Sequence, residues 1–124
     1  MAQVAVEEAI RLGASYADVR YEVHQHEDLV LRNGRVHQAT VRSDRGLGVR
    51  TLVNGAWGFA AVGHPTRHDA AIASRRAVEL ARAAAVVQDR PVRLVHEPAH
   101  CAVYRTSIER DPLAVAIEDK MELL

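Results

Sequence analysis

The chain has 124 residues, 16 basic and 16 acidic side chains and no formal net charge, with 48% hydrophobic residues. That length suits one domain that buries a core without disulfide or metal staples, and the even charge excludes the electrostatic footprint of a nucleic-acid or anionic-membrane binder. A single cysteine, Cys101, cannot close an internal disulfide, and neither a basic-then-apolar leader nor an apolar run of spanning length is present, so a cytoplasmic location is expected.

Ala2 to Leu12 suits a short helix with Val6, Ala9, Ile10 and Gly13 on one side, Glu7 placed to pair with Arg11, and Gly13 as the stop. From Tyr16 the period changes to two. Val19, Tyr21 and His24 alternate with Asp18, Arg20 and Glu22, the mark of a strand with one buried face. Leu29–Arg32 and Arg35–Arg42 form a hairpin about Asn33-Gly34. Ser43-Asp44-Arg45-Gly46 predicts a further reversal, and Asn54-Gly55 supplies the two positive-φ positions of a type I′ turn. Turns this short join only antiparallel neighbours.

Thr66 is positioned to cap the next helix, with Asp69 at the capping-box position. Ala70, Ala73, Ala77, Ala81 and Ala84, with Ile72, Val78 and Leu80 beside them, let this helix lie close to a sheet, while Arg75, Arg76, Glu79 and Arg82 face solvent. Gln88-Asp89-Arg90-Pro91 ends it. Residues 92–110 read as connecting loop or edge strand. Ile117, Met121 and Leu124 then share a helical face that stops without a cap, which predicts a truncated C-terminal helix. The expected fold is therefore α+β: an antiparallel meander sheet of four or five strands covered by an Ala-rich helix, with an N-terminal helix and a truncated C-terminal one.

His96-Glu97-Pro98-Ala99-His100 matches His-Glu-x-x-His, which in metallopeptidases sets two imidazoles on one helical face with a glutamate as base. That geometry needs a regular helix, and Pro98 opposes one at a cost of about 3 kcal/mol. His96 and His100 are therefore rejected as metal ligands, and a free-standing zinc hydrolase using His96, Glu97 and His100 stands as the alternative function. His24, His26 and His37 can gather on one strand face as a surface cluster, and His64 and His68 flank a helix start. Trp57 and Phe59 share one strand face and are expected to pack under the alanine helix.

The stretch Gly46 to Val62 places glycines inside strands as well as at the turn, a pattern that weakens a strand unless another backbone or a ligand comes close. Together with Ala-Ser-Tyr-Ala-Asp-Val-Arg at 14–20, the Gly-x-Gly-Val-Arg and Trp-Gly-Phe-Ala strands and the Ala-rich helix, it resembles the N-terminal domain of the TldD/PmbA family of zinc metallopeptidases, also described as modulators of DNA gyrase. The resemblance implies a domain over 1–110, with 111–124 as the start of a linker toward a catalytic domain. It also implies zinc in the parent protein on a His-Glu-x-x-x-His helix that this sequence lacks, and homo- or heterodimers of family members. Gly46, Gly48, Arg50, Trp57 and Gly58 match the family pattern and are the candidate peptide-binding or interface residues, none of them catalytic. A peptide could add as a strand beside Gly46–Val53, with Arg50 near a carboxylate. The function expected is substrate capture and dimer assembly, in a fragment that hydrolyses nothing alone. A peptide-binding α+β module without catalysis is the remaining alternative.

Overall fold

The computed structural model describes residues 1–98 and 100–124. The chain forms two compact units, one of Met1–His24 and Ser43–Val95, the other of Gln25–Arg42 and His96–Leu124. Strands β1 (Tyr16–Arg32), β2 (Arg35–Val53) and β3 (Ala56–Gly63) make a sheet in the order β1-β2-β3. The helices are α1 (Ala2–Arg11), α2 (Arg67–Val87) and α3 (Ile117–Glu122).

In the first unit, β2 and β3 pair antiparallel from Gly46↔Gly63 to Val53↔Ala56. Asn54 and Gly55 join them with φ of 50° and 79°, the positive pair that a type I′ turn requires. The segment after α2 pins that turn. Gly55 O accepts from Val92 N at 2.8 Å and from Gln88 Nε2 at 2.7 Å.

One face of the sheet carries both core clusters. Leu47 and Val49 meet Ala5, Ala70, Ala73 and Ala77, and Val53 meets Ala9, Ala14, Val78 and Ala81. Alanines at these positions bring α2 so near that a Cβ on Gly58 would sit 2.0 Å from the Ala77 carbonyl oxygen and 2.5 Å from Ala81 N. Helix α2 begins in a complete capping box. Asp69 N donates to Thr66 Oγ1 at 3.2 Å, and Thr66 N donates to Asp69 Oδ2 at 2.9 Å. Buried Ser74 ties the helices together by donating to Ala5 O at 2.8 Å. Glu8 receives Arg11 and Arg75, each at 2.8 Å.

In the second unit, Asn33 and Gly34 turn with φ of 53° and 70°, as the Asn-Gly pair predicts. Arg42 Nη2 donates to Asp28 Oδ2 at 2.8 Å, Lys120 pairs with Glu27, and Arg110 pairs with Asp119. A 3-10 turn at Pro112–Ala114 precedes α3. No described residue of this unit is buried.

Three expectations need correction. The sheet has three strands among the described residues, not four or five, because β1 and β2 each run on where the sequence suggested an interruption. No residue from Ser43 to Gly46 adopts a positive φ, so these turn-forming types remain extended and β2 passes through them. On α1, Ala5 and Ala9 are the buried residues while Ile10 is exposed, and Arg11 bonds Glu8 rather than Glu7, which accepts from Gln3 instead. Trp57 and Phe59 do not lie under α2. Gly58 occupies that face, and the two-residue period of a strand turns its neighbours to the other side.

Candidate functional site

The face of the sheet opposite α2 is assembled from alternate residues of three strands in the first unit. Counting from Gly58, the opposite parity of β3 is Trp57, Phe59, Ala61 and Gly63, and their partners on β2 are Leu52, Arg50, Gly48 and Gly46. From β1, Asp18, Arg20, Glu22 and His24 line the same groove as Gly46, Gly48, Arg50 and Phe59. His24 thus belongs with Asp18 and not with Val19, as its even spacing from Asp18 dictates. The groove measures about 690 Å³, within the range of ligand pockets.

At one end the side chains lock one another. Arg50 donates to Asp18 Oδ2 through Nε at 2.8 Å and Nη2 at 2.7 Å. Its guanidinium carbon lies 4.6 Å from the centre of the Trp57 ring, a cation–π contact, and Tyr16 meets that ring edge-on at 5.8 Å and 86°. The hydrogen bonds and charge of Asp18 raise the Arg50 pKa above its ordinary value. Arg50 is therefore already engaged by a carboxylate of its own chain.

At the other end the floor has almost no side chains. Gly46 faces Gly63 and Gly48 faces Ala61. His64 N donates to Arg45 O at 2.9 Å, which makes Gly46↔Gly63 a non-hydrogen-bonded pair, the type whose side chains come closest. A Cβ on Gly63 would meet nothing within 4 Å, and one on Gly46 only the Val62 carbonyl at 3.7 Å. Neither glycine has a positive φ. Each still weakens its strand by roughly 0.5–1 kcal/mol relative to alanine, and no neighbour in this chain requires it. Gly48 differs, since a Cβ there would lie 3.1 Å from the Phe59 ring. That ring covers Gly48 while remaining 59% exposed.

Of the residues singled out from sequence, Gly46, Gly48, Arg50 and Trp57 thus share one uncovered face, whereas Gly58 stands on the opposite face as a packing position. The sequence reading missed Asp18 as the partner of Arg50, Phe59 as a groove wall, and Gly63 altogether. Strand parity anchored on Gly58 is the signal that finds them.

His96, Glu97, Pro98 and His100 lie in irregular backbone, with His100 Nδ1 3.4 Å from Pro98 O, and position 99 is outside the described residues. Among the described residues no three His, Cys, Asp or Glu side chains gather as metal ligands. No helix of the described residues is long and apolar enough to cross a membrane.

The model of the family PmbA/TldA metallopeptidase domain 1 matches residues 17–85, which include the groove and the helix behind it. The chain belongs to this family. It is 33% identical over 57 residues to the protein named metalloprotease TldD homolog from Buchnera aphidicola subsp. Acyrthosiphon pisum (strain APS), covering 46% of this chain and 12% of that protein. The fold is similar to that of TldE from Thermococcus kodakarensis, with a TM-score of 0.61 and 20% identity over 93% of this chain and 26% of the TldE chain. This first domain accordingly spans a small part of the proteins it matches.

Proposed function

We propose that the chain serves a TldD/PmbA-type metallopeptidase, or a non-catalytic partner of one, as its peptide-capturing and dimer-assembling domain. Hydrolysis, and the zinc that the resemblance implies, belong to other parts of such a protein. The observation that carries this reading is an open groove on the uncovered sheet face beside an edge strand. Strand β2 is paired on both sides, so a peptide has no free edge there; the edges of the sheet are β1, which carries Asp18, Arg20 and Glu22, and β3. Strand β3 contains neither proline nor charge, the usual protections of an edge. A peptide added to it gains backbone hydrogen bonds, and alternate side chains face the groove. A second family member can pair along the same edge.

Register supplies the test. Because Gly48↔Ala61 has the same parity as the non-hydrogen-bonded Gly46↔Gly63 pair, the Ala61 N–H points away from β2. Ala61→Pro removes an outward donor without breaking the ladder to β2. Anisotropy with a labelled unstructured peptide should show binding without cleavage, weakened about tenfold in the variant, since one or two backbone hydrogen bonds are lost. Unchanged affinity in a variant that melts like the parent removes the edge from the reading.

A further inference from the structure

We infer that the tip of the hairpin joining β1 to β2 holds a phosphate monoester dianion, with Arg32 and Arg35 as its two forks and His37 as a further donor. The site lies within the second unit alone and does not depend on the peptide-capture reading above.

The turn itself brings the charges together. Strand β1 ends at Arg32 and β2 begins at Arg35, and the residues between them, Asn33 and Gly34, take φ of 53° and 70°. A two-residue turn of this kind sets its flanking residues directly opposite one another, and the strand period places His37 on the same face as Arg35. All three side chains line one cavity of about 440 Å³, together with Asn33 and Val36. Like charges directly opposite one another weaken a ladder. A guanidinium pair at that position therefore destabilises this hairpin unless a counter-charge joins it.

No such counter-charge comes from the hairpin. From Leu29 to Ser43 there is no acidic residue, and the carboxylates just before, Glu27 and Asp28, are engaged by Lys120 and Arg42. Among the described residues Arg32 and Arg35 form no ion pair and no side-chain hydrogen bond. Their stems cover no core either, since no described residue of this unit is buried. The tip is thus left with the charge of both guanidiniums. One carboxylate would neutralise only one of them, whereas a phosphate monoester carries nearly twice that charge and three free oxygens, enough to meet both forks at once. The His37 imidazole adds a ring N–H in either protonation state.

NMR titration of the isotope-labelled full chain at about pH 7.5, above the second ionisation of phosphate near 6, tests the site. The probes are Gly/Ser hexapeptides carrying one phosphoserine, one glutamate or neither, inorganic phosphate, and a dinucleotide with a single, singly charged phosphodiester. The phosphoserine peptide should bind about tenfold tighter than the glutamate peptide or the dinucleotide, with shifts centred on Arg32, Arg35 and His37. Arg32→Gln and Arg35→Gln should each weaken it about tenfold, since charge-assisted hydrogen bonds are lost. Arg105→Gln, at an exposed arginine of the same unit that forms no ion pair among the described residues, should leave the affinity unchanged. Inorganic phosphate that binds as tightly as the phosphopeptide identifies the ligand as the free anion, and weaker binding identifies it as a phosphoryl group carried on a chain; both support the site. Equal affinity for the phosphoserine and glutamate peptides, or for the phosphodiester, overturns the inference. So does an equal loss in Arg105→Gln, or no binding by any phosphate. In each of these cases peptide capture by the first unit still stands.

Discussion

Gly58 and Gly63 lie five residues apart on one strand, and the reasons for a small residue differ completely between them. At Gly58 the absent Cβ is space already filled by α2, whose Ala77 carbonyl would lie 2.0 Å away. Gly58→Ala should therefore force the helix off the sheet and lower stability by about 1–3 kcal/mol, the usual cost of overpacking. A urea midpoint equal to the parent's would show that the helix does not lie so close. At Gly63 the space is open to solvent, so a side chain there should not disturb the fold. Contrasting outcomes at these two positions distinguish a glycine that packs from one that leaves room for something else. Arg50 illustrates a different point. Its charge, visible in the sequence, is committed within the fold to Asp18 and to the Trp57 ring.

At the scale of elements, the joint between α1 and α2 depends on two polar contacts around an alanine interface. Ser74 donates across it to Ala5 O, and Glu8 accepts from Arg11 on its own helix and Arg75 on the other. The hydrogen bonds from Arg11 and then Arg75 hold the Glu8 carboxyl down at about 2, against an ordinary value of 4.5. A carboxylate with a depressed folded pKa stabilises fully above its unfolded value, and its contribution is lost as pH falls toward the folded one. The melting temperature of the parent should fall more steeply between pH 4.5 and about 2 than that of Glu8→Gln. Parallel curves would mean that the two arginines do not hold Glu8 in solution. Asp69, bonded by the Thr66 side chain and backbone at the start of α2, is likewise shifted downward and titrates in both proteins, so the difference between the curves isolates Glu8.

For the whole molecule, the two units differ in what they bury. Every buried residue among those described lies in the unit of Met1–His24 and Ser43–Val95. Backbone amides protected by a core exchange at the cost of global unfolding, and those without one exchange by local opening. Hydrogen exchange should therefore be slowest at Leu47–Val53 and Ala70–Ala81 and much faster at Gln25–Arg42 and His96–Leu124. Equal protection in both units would contradict a core confined to one of them.

The Asn-Gly turns, the capping box at Thr66 and Asp69, the alanine stripe of α2 and the family likeness were legible because each depends on neighbours a few residues apart. The length of the strands was not. Ser43–Gly46 has turn composition, but a continuous ladder of backbone hydrogen bonds outweighs weak local preference. The face of Trp57 and Phe59 was misjudged for a related reason. A two-residue period says which side chains share a side, but only the closeness of α2 to Gly58 decides which side is buried. The site follows the same division. The sequence by itself determined which residue types alternate along β1, β2 and β3. The tertiary structure decided that Arg50 would face Asp18, and that Gly46 would face Gly63 across an open floor, because pairing between strands brings together residues that the chain keeps far apart.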